Sequence, residues 1–156
     1  MRIRRASSDE ALTGYSFRGA PVSTIGGNDE RVIGCVTVAS KTAETDGIRR
    51  LAPRPVLLLH GTGDTTLSHS GSKRLYAMYG NQGNRRIKLF DGDNHALSGN
   101  AHTAEDTLLD FIVNCAGLKI DKTEKRVVAD HPRVEDCERI ELMKKGGDLR
   151  PPEDLQ

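Results

Sequence analysis

The stretch PVLLLHGTGDTTL, residues 55–67, carries the strongest fold signal in the chain. Four apolar residues, Val56-Leu57-Leu58-Leu59, follow Pro53 and Pro55 and run directly into His60-Gly61-Thr62-Gly63-Asp64. Successive side chains of a strand point to opposite faces, so an unbroken apolar run describes a strand covered on both sides. Sheets covered on both sides are typically parallel, and parallel neighbours need crossover connections, usually helices. Working outward, Val32 to Ala39 (VIGCVTVA) is a second β-branched, nearly continuous apolar run. Ile87-Lys88-Leu89-Phe90 is less apolar, as a strand nearer an edge would be, and Ala11-Leu12-Thr13 is a short apolar approach to Gly14. Helix patterns lie between and after them: Phe17 to about Ile25, Ser70 to Tyr79 stopped by Gly80, and Thr103 to Ala116 stopped by Gly117. For the last, Thr103 is the expected N-cap, Glu105 and Asp106 fill the first turn, and Leu108, Leu109, Ile112, Val113 and Ala116 make the apolar face. Strands alternating with helices predict an α/β fold with a mostly parallel sheet.

In such sheets, reactive groups collect beyond the carboxyl ends of the strands. After Leu12-Thr13 comes Gly14-Tyr15-Ser16-Phe17-Arg18-Gly19; after Leu59 comes His60-Gly61-Thr62-Gly63-Asp64; after Phe90 comes Asp91-Gly92-Asp93-Asn94-His95. A hydroxyl, a carboxylate and an imidazole are thus expected at one edge, in the order Ser, Asp, His. Plainer roles compete with each. Ser16 suits the N-cap of the helix that follows it, and Asp64 suits a turn. Asp91 and Asp93 are rival carboxylates, although they share the histidine's own loop. His60 reads as the end of a strand, and His69, His102 and His131 as surface or helix-flank residues. A metal site built from His60, His69, His95 and Asp93 lacks HExxH-like spacing, and no Gly-Lys-Ser/Thr follows Gly61-Thr62-Gly63 to make a phosphate loop. Neither a metal nor a cofactor is expected.

From Leu12 to Leu118 the chain resembles the C-terminal half of an α/β-hydrolase domain, of the kind found in serine esterases, dienelactone-hydrolase-like enzymes and related serine peptidases. LTGYSFRGA resembles the nucleophile elbow, PVLLLHGTGDTTL the strand and turn bearing the acid, and FDGDNHAL the histidine loop. The chain order Ser…Asp…His is the one this fold uses. The resemblance implies Ser16 as nucleophile, His95 as general base, Asp64 as the acid that orients it, and the Phe17 backbone N–H as one oxyanion donor. A serine hydroxyl needs a neighbouring base to take its proton, and a buried carboxylate fixes the tautomer of that base.

Two departures bear on activity. The elbow pattern is G-x-S-x-G, and its second glycine position holds Arg18, with Gly19 one place later and Pro21 in the next turn. Only ten residues, MRIRRASSDE, precede the elbow strand, against roughly 30 for each βαβ unit. The third-strand loop that gives the family its second oxyanion donor is therefore expected to be absent, and the elbow strand to lie at an edge open to self-association. Three readings follow. The first is a serine hydrolase acting on a carboxylic ester or related small-molecule acyl substrate. The second is a catalytically inactive hydrolase-derived binding or regulatory protein, and the third is a small α/β domain whose site-like residues coincide by chance.

Composition narrows the partners. With 23 Lys+Arg against 22 Asp+Glu and a formal charge of +1, the chain lacks the excess of basic residues that a nucleic-acid binder carries. No apolar run approaches the ~20 residues of a membrane span, and Met1 to Arg5 lacks a signal-peptide core. Cys35, Cys115 and Cys137 are an odd number without CxxC spacing, so no disulfide framework is expected and a cytoplasmic setting is. Residues 119–156 differ from the body at 1–118, with 19 of their 38 positions charged, and read as a charged, flexible tail. Within it Val134, Cys137, Ile140 and Met143 allow one marginal helix.

Overall fold

The computed structural model describes residues 9–130. They fall in two compact units, one ending at Lys119 and the other beginning at Ile120. In the first unit, strands β1 (Glu10–Tyr15), β2 (Val32–Val38), β3 (Val56–Gly61) and β4 (Arg85–Phe90) form one sheet in the order β1-β2-β3-β4. Every pairing is parallel. All four strands therefore end at the same edge, and whatever follows them meets there. This is the α/β architecture the apolar runs predict.

Helix α1 (Gly19–Asn28) joins β1 to β2, α2 (Ser70–Tyr79) joins β3 to β4, and α3 (Ala101–Ala116) follows β4. Side chains along β3 alternate between the two faces of the sheet as the pleat requires, and both faces are buried. Val56 and Leu58 pack with Val22 of α1 and with Leu75 and Tyr79 of α2. Leu57 and Leu59 pack on the opposite face with Val36, Phe90, Leu97 and Phe111 of α3. All four residues are no more than 1% exposed. β3 is thus the shared wall of two apolar clusters, which is why its sequence has no polar position until His60.

Several boundaries differ from expectation. The chain passes from β1 through a tight 3-10 turn, Ser16–Arg18, before α1 begins at Gly19. α3 starts at Ala101 rather than after Thr103, so Thr103 lies inside the helix, where its carbonyl accepts a 2.6 Å bond from the Thr107 hydroxyl. The core-facing stripe of α3 is Ala104, Leu108, Phe111 and Cys115. Leu109, Ile112, Val113 and Ala116 are half-buried outside that cluster, because the apolar arc of this helix is wider than its contact. Between β2 and β3 a 3-10 turn, Asp46–Arg50, buries Ile48, and Leu51 follows it fully enclosed. The charges of Lys41-Thr42-Ala43-Glu44-Thr45-Asp46-Gly47 conceal that turn in the sequence.

In the second unit, residues Lys122–Asp130 form α4, where the sequence showed no helix. Its start is a capping box. Asp121 Oδ1 accepts the Thr123 and Glu124 N–H groups at 2.7 and 2.9 Å, and Glu124 Oε2 accepts the Asp121 N–H at 2.9 Å. The candidate helix from Val134 to Met143 lies outside the described residues. Among those described, β1 pairs on one side only, with β2, and no helix is long and apolar enough to cross a membrane.

A close backbone approach ties α1 to the turn at 46–50. A Cβ on Gly27 would lie 1.9 Å from the Gly47 carbonyl oxygen, a distance no packed carbon tolerates. Gly27→Ala is expected to lower unfolding free energy by about 1–3 kcal/mol, the usual cost of forcing an extra group into a packed contact. Urea denaturation checks this, and a midpoint equal to wild type would show that the contact yields freely.

Candidate active site

The sharp turn after β1 is built around Ser16, whose φ is +53°. A residue with a Cβ rarely occupies this left-handed region, and such strain clusters at functional sites. Gly14 makes the turn possible, because a Cβ there would sit 2.5 Å from the Arg18 carbonyl oxygen and 2.8 Å from Val22. Gly19 serves the same end on the far side, where a Cβ would come within 2.0 Å of Ser40 Oγ and 2.5 Å of Ser40 Cβ. The close approach that calls for a second glycine thus falls at Gly19, and Arg18 is exposed. Pro21 sits in the first turn of α1, where backbone N–H groups lack intrahelical partners in any case, so its ring costs no helical hydrogen bond. Nor does Ser16 cap the helix: Arg18 holds the N-cap position of α1, without a side-chain bond.

Two further glycines bring the acid turn against the histidine loop. A Cβ on Gly61 would lie 2.2 Å from the Asp93 carbonyl oxygen, and one on Gly63 would lie 2.5 Å from that of Gly92. The Gly63 N–H donates to the Asp93 carbonyl at 2.9 Å across this contact. Asp93 folds the loop from inside. Its Oδ1 accepts the Asn94 and Gly99 N–H groups at 2.9 and 3.1 Å, and its Oδ2 accepts the Asn100 amide at 2.9 Å. The Asn100 bond foremost, with the Gly99 and Asn94 N–H groups, holds the Asp93 carboxyl below its usual range. Asp93 is the staple of the loop. Asp91 instead accepts a 3.1 Å bond from the Thr62 hydroxyl.

The three residues singled out in the sequence meet. His95 Nε2 lies 2.9 Å from Ser16 Oγ, and His95 Nδ1 lies 2.6 Å from Asp64 Oδ2. A nitrogen facing a carboxylate carries the proton, which leaves Nε2 to accept from the serine hydroxyl. The Asp64 side chain is wholly enclosed and that of His95 is 20% exposed, so the hydroxyl end of the array faces solvent. Burial pushes the Asp64 carboxyl up, but N–H groups of Leu67 and Thr66 and the His95 bond outweigh it and hold the group below the ordinary carboxylate value. Those two N–H groups reach Asp64 Oδ1 at 2.9 and 2.8 Å.

Side chains around this array make contacts that the sequence did not show. The Tyr15 ring lies 5.1 Å from the His95 ring, tilted by 48°. Burial, then the Asp64 charge, pushes the Tyr15 hydroxyl upward. Phe17, the residue after the nucleophile candidate, is 66% exposed and carries Lys41 Nζ 3.9 Å above its ring centre. A groove of about 250 Å³ opens beside them, lined in part by Ser40, Lys41, Thr42, Leu67 and Ser68. His60, read as a strand end, is fully buried and turns its ring toward Asp64. His69 flanks α2, His102 is exposed on α3, and His131 lies outside the described residues. Among the described residues no group of three His, Cys, Asp or Glu side chains could hold a metal ion.

No family model matches the chain, and no curated protein matches it by sequence. Solved structures do. Est1E from Butyrivibrio proteoclasticus superposes with a TM-score of 0.61 at 12% identity, covering 70% of this chain and 62% of its own. The esterase domain of a Rhodothermus marinus protein gives 0.53 at 18% identity, over 61% of this chain and 56% of its own. This chain has a partial α/β-hydrolase-like fold. A puromycin-hydrolyzing peptidase from Mycobacterium tuberculosis shares it, with a TM-score of 0.62 at 16% identity over 73% of this chain and 23% of the peptidase. The chain thus spans little more than half the length of the two esterases. On the α/β-hydrolase sheet, the Ser16 turn, the Asp64 turn and the His95 loop all occupy the carboxyl edge.

The lowered Asp64 carboxyl has a consequence for stability. A carboxyl depressed in the folded state stabilises it above the unfolded value, and that contribution fades as pH falls toward the folded value. Asp64→Asn is therefore expected to destabilise the protein at pH 7 and to differ much less from wild type below the ordinary value of 3.8. Urea unfolding at pH 7 and pH 3 tests this, and an equal gap at both would contradict it.

Proposed function

We propose that the chain carries the catalytic centre of a serine hydrolase acting on a carboxylic ester or related acyl substrate. The observation that supports this most is the continuous array Ser16 Oγ, His95, Asp64, with spacings of 2.9 and 2.6 Å, standing on a strained φ of +53° at Ser16. An N-cap or a surface turn would require none of these features together.

The chemistry runs in two stages. Ser16 Oγ attacks the acyl carbon as His95 Nε2 takes the hydroxyl proton, and Asp64 stabilises the imidazolium that forms. The tetrahedral oxyanion is met by the Phe17 N–H at the start of the turn; such a donor is worth about 3–4 kcal/mol of transition-state stabilisation where it has been removed. When the C–O bond of the ester breaks, the proton on His95 passes to the departing alcohol, leaving an acyl-Ser16. Water, deprotonated by His95, then attacks the same carbon and releases the carboxylic acid and the free serine. Phe17 and Tyr15, the exposed aromatics on either side of Ser16, offer apolar surface to the acyl or alcohol portion.

A fluorophosphonate probe, which reacts with activated serines, tests the reading. Wild type is expected to take the label, with loss of labelling in both Ser16→Ala and His95→Ala. A folded wild-type protein that takes no label would sink the proposal and favour an inactive, binding descendant of the fold.

A further inference from the structure

His60 follows four aliphatic residues on β3, at 0% exposure, and both its ring nitrogens are engaged. Nε2 lies 3.1 Å from Asp64 Oδ2 and 2.9 Å from the Leu67 carbonyl oxygen. Nδ1 lies 2.7 Å from the hydroxyl of Ser72, itself 0% exposed in α2. Since Nε2 faces two acceptors it carries a proton, and Nδ1 is left to accept from Ser72. A buried ring with both nitrogens bonded is fixed in tautomer and in angle.

The far end of that ring bears on the site. Asp64 Oδ2 receives His95 at 2.6 Å and His60 at 3.1 Å, while Oδ1 receives the Thr66 and Leu67 N–H groups. The four acceptor directions of the carboxylate are thus all used. The Leu67 segment is held twice, since its N–H reaches Asp64 and its carbonyl reaches His60. The array is close to symmetric about the carboxylate: Ser16, His95, Asp64, His60, Ser72.

We propose that His60 and Ser72 are positioning residues for Asp64, a second imidazole–hydroxyl pair that fixes the carboxylate and shares its Oδ2 with His95. The proposal rests on the catalytic reading of Ser16, His95 and Asp64, and it adds two residues that do not touch substrate. Simple core filling does not account for it, because an aliphatic residue would fill the same space between β3 and α2. Groups facing the array are Tyr15 and Ser16 from the β1 turn, His95 from its loop, and His60 with Ser72 from β3 and α2.

The test uses the full chain and two readouts. His60→Met removes the donor at similar bulk, His60→Gln restores an N–H donor at the reach of Nε2, and Ser72→Ala removes the hydroxyl behind the ring. In ¹H–¹⁵N spectra of histidine-labelled protein, the low-field His95 Nδ1–H signal is expected to move downfield in His60→Met, as the rival donor on Oδ2 is lost. It is expected to return toward the wild-type position in His60→Gln. Fluorophosphonate labelling should slow about tenfold in His60→Met, the worth of one hydrogen bond to a charged group, and recover in His60→Gln. A folded His60→Met with an unmoved His95 signal would overturn the pairing. Should His60→Met fail to fold, Ser72→Ala decides: broadening or loss of the His60 N–H signal supports the pair, and an unchanged signal overturns it. The two readings separate cleanly. A wild type that takes no label but shows the coupled spectral shift defeats the hydrolase assignment and keeps the pair; labelling without the shift does the reverse.

Discussion

The Asp64 carboxylate holds the carboxyl edge of the sheet together. It is fully enclosed, it accepts from the loop after β4 through His95 and from β3 itself through His60, and it closes its own turn through Thr66 and Leu67. A buried charge persists only when paired and hydrogen-bonded, and here the residues that satisfy it are the ones that set the geometry around Ser16. The glycines at 61 and 63 allow this by letting the acid turn touch the histidine loop backbone to backbone. Remove either condition and the imidazole loses the reference that aims it at the serine.

The sheet supplies the frame. Four parallel strands in chain order send their C-terminal ends to a single edge, so three segments separated by up to 79 positions converge there. Apolar burial on both sides of β3 anchors that edge from below, which places the energetic core of the fold directly beneath its reactive groups. Strain then sits where the frame is firmest. Ser16 is held at positive φ between Gly14, which leaves room for the Arg18 carbonyl, and Gly19, which leaves room for Ser40.

What could be read from the sequence follows from how local each signal is. Continuous apolar runs mark β2 and β3 because both faces of each strand are covered, and Gly80 and Gly117 mark helix ends because they take positive φ there. Ser16, Asp64 and His95 were legible as candidates because each follows a strand, and the sheet direction gathers such positions. His60 was not, since a histidine closing a strand looks the same whether its ring meets solvent or a carboxylate four residues on. At Arg18, one-dimensional spacing could not show that the tight approach falls on Gly19 and Ser40. The start of α3 and its Phe111 stripe depended on tertiary contact, which outweighed the apparent Thr103 cap. The capping box Asp121-x-x-Glu124 was present as a pattern, but dense surrounding charge hid it.

A centre of this kind stands or falls on whether Ser16 becomes acylated. Peptide mapping by mass spectrometry after a brief exposure to p-nitrophenyl acetate measures that directly. The arrangement of Ser16, His95 and Asp64 predicts a burst of p-nitrophenolate near one equivalent and an acetyl group on the peptide containing Ser16. No burst, or acetylation confined to other side chains in a folded protein, would contradict it.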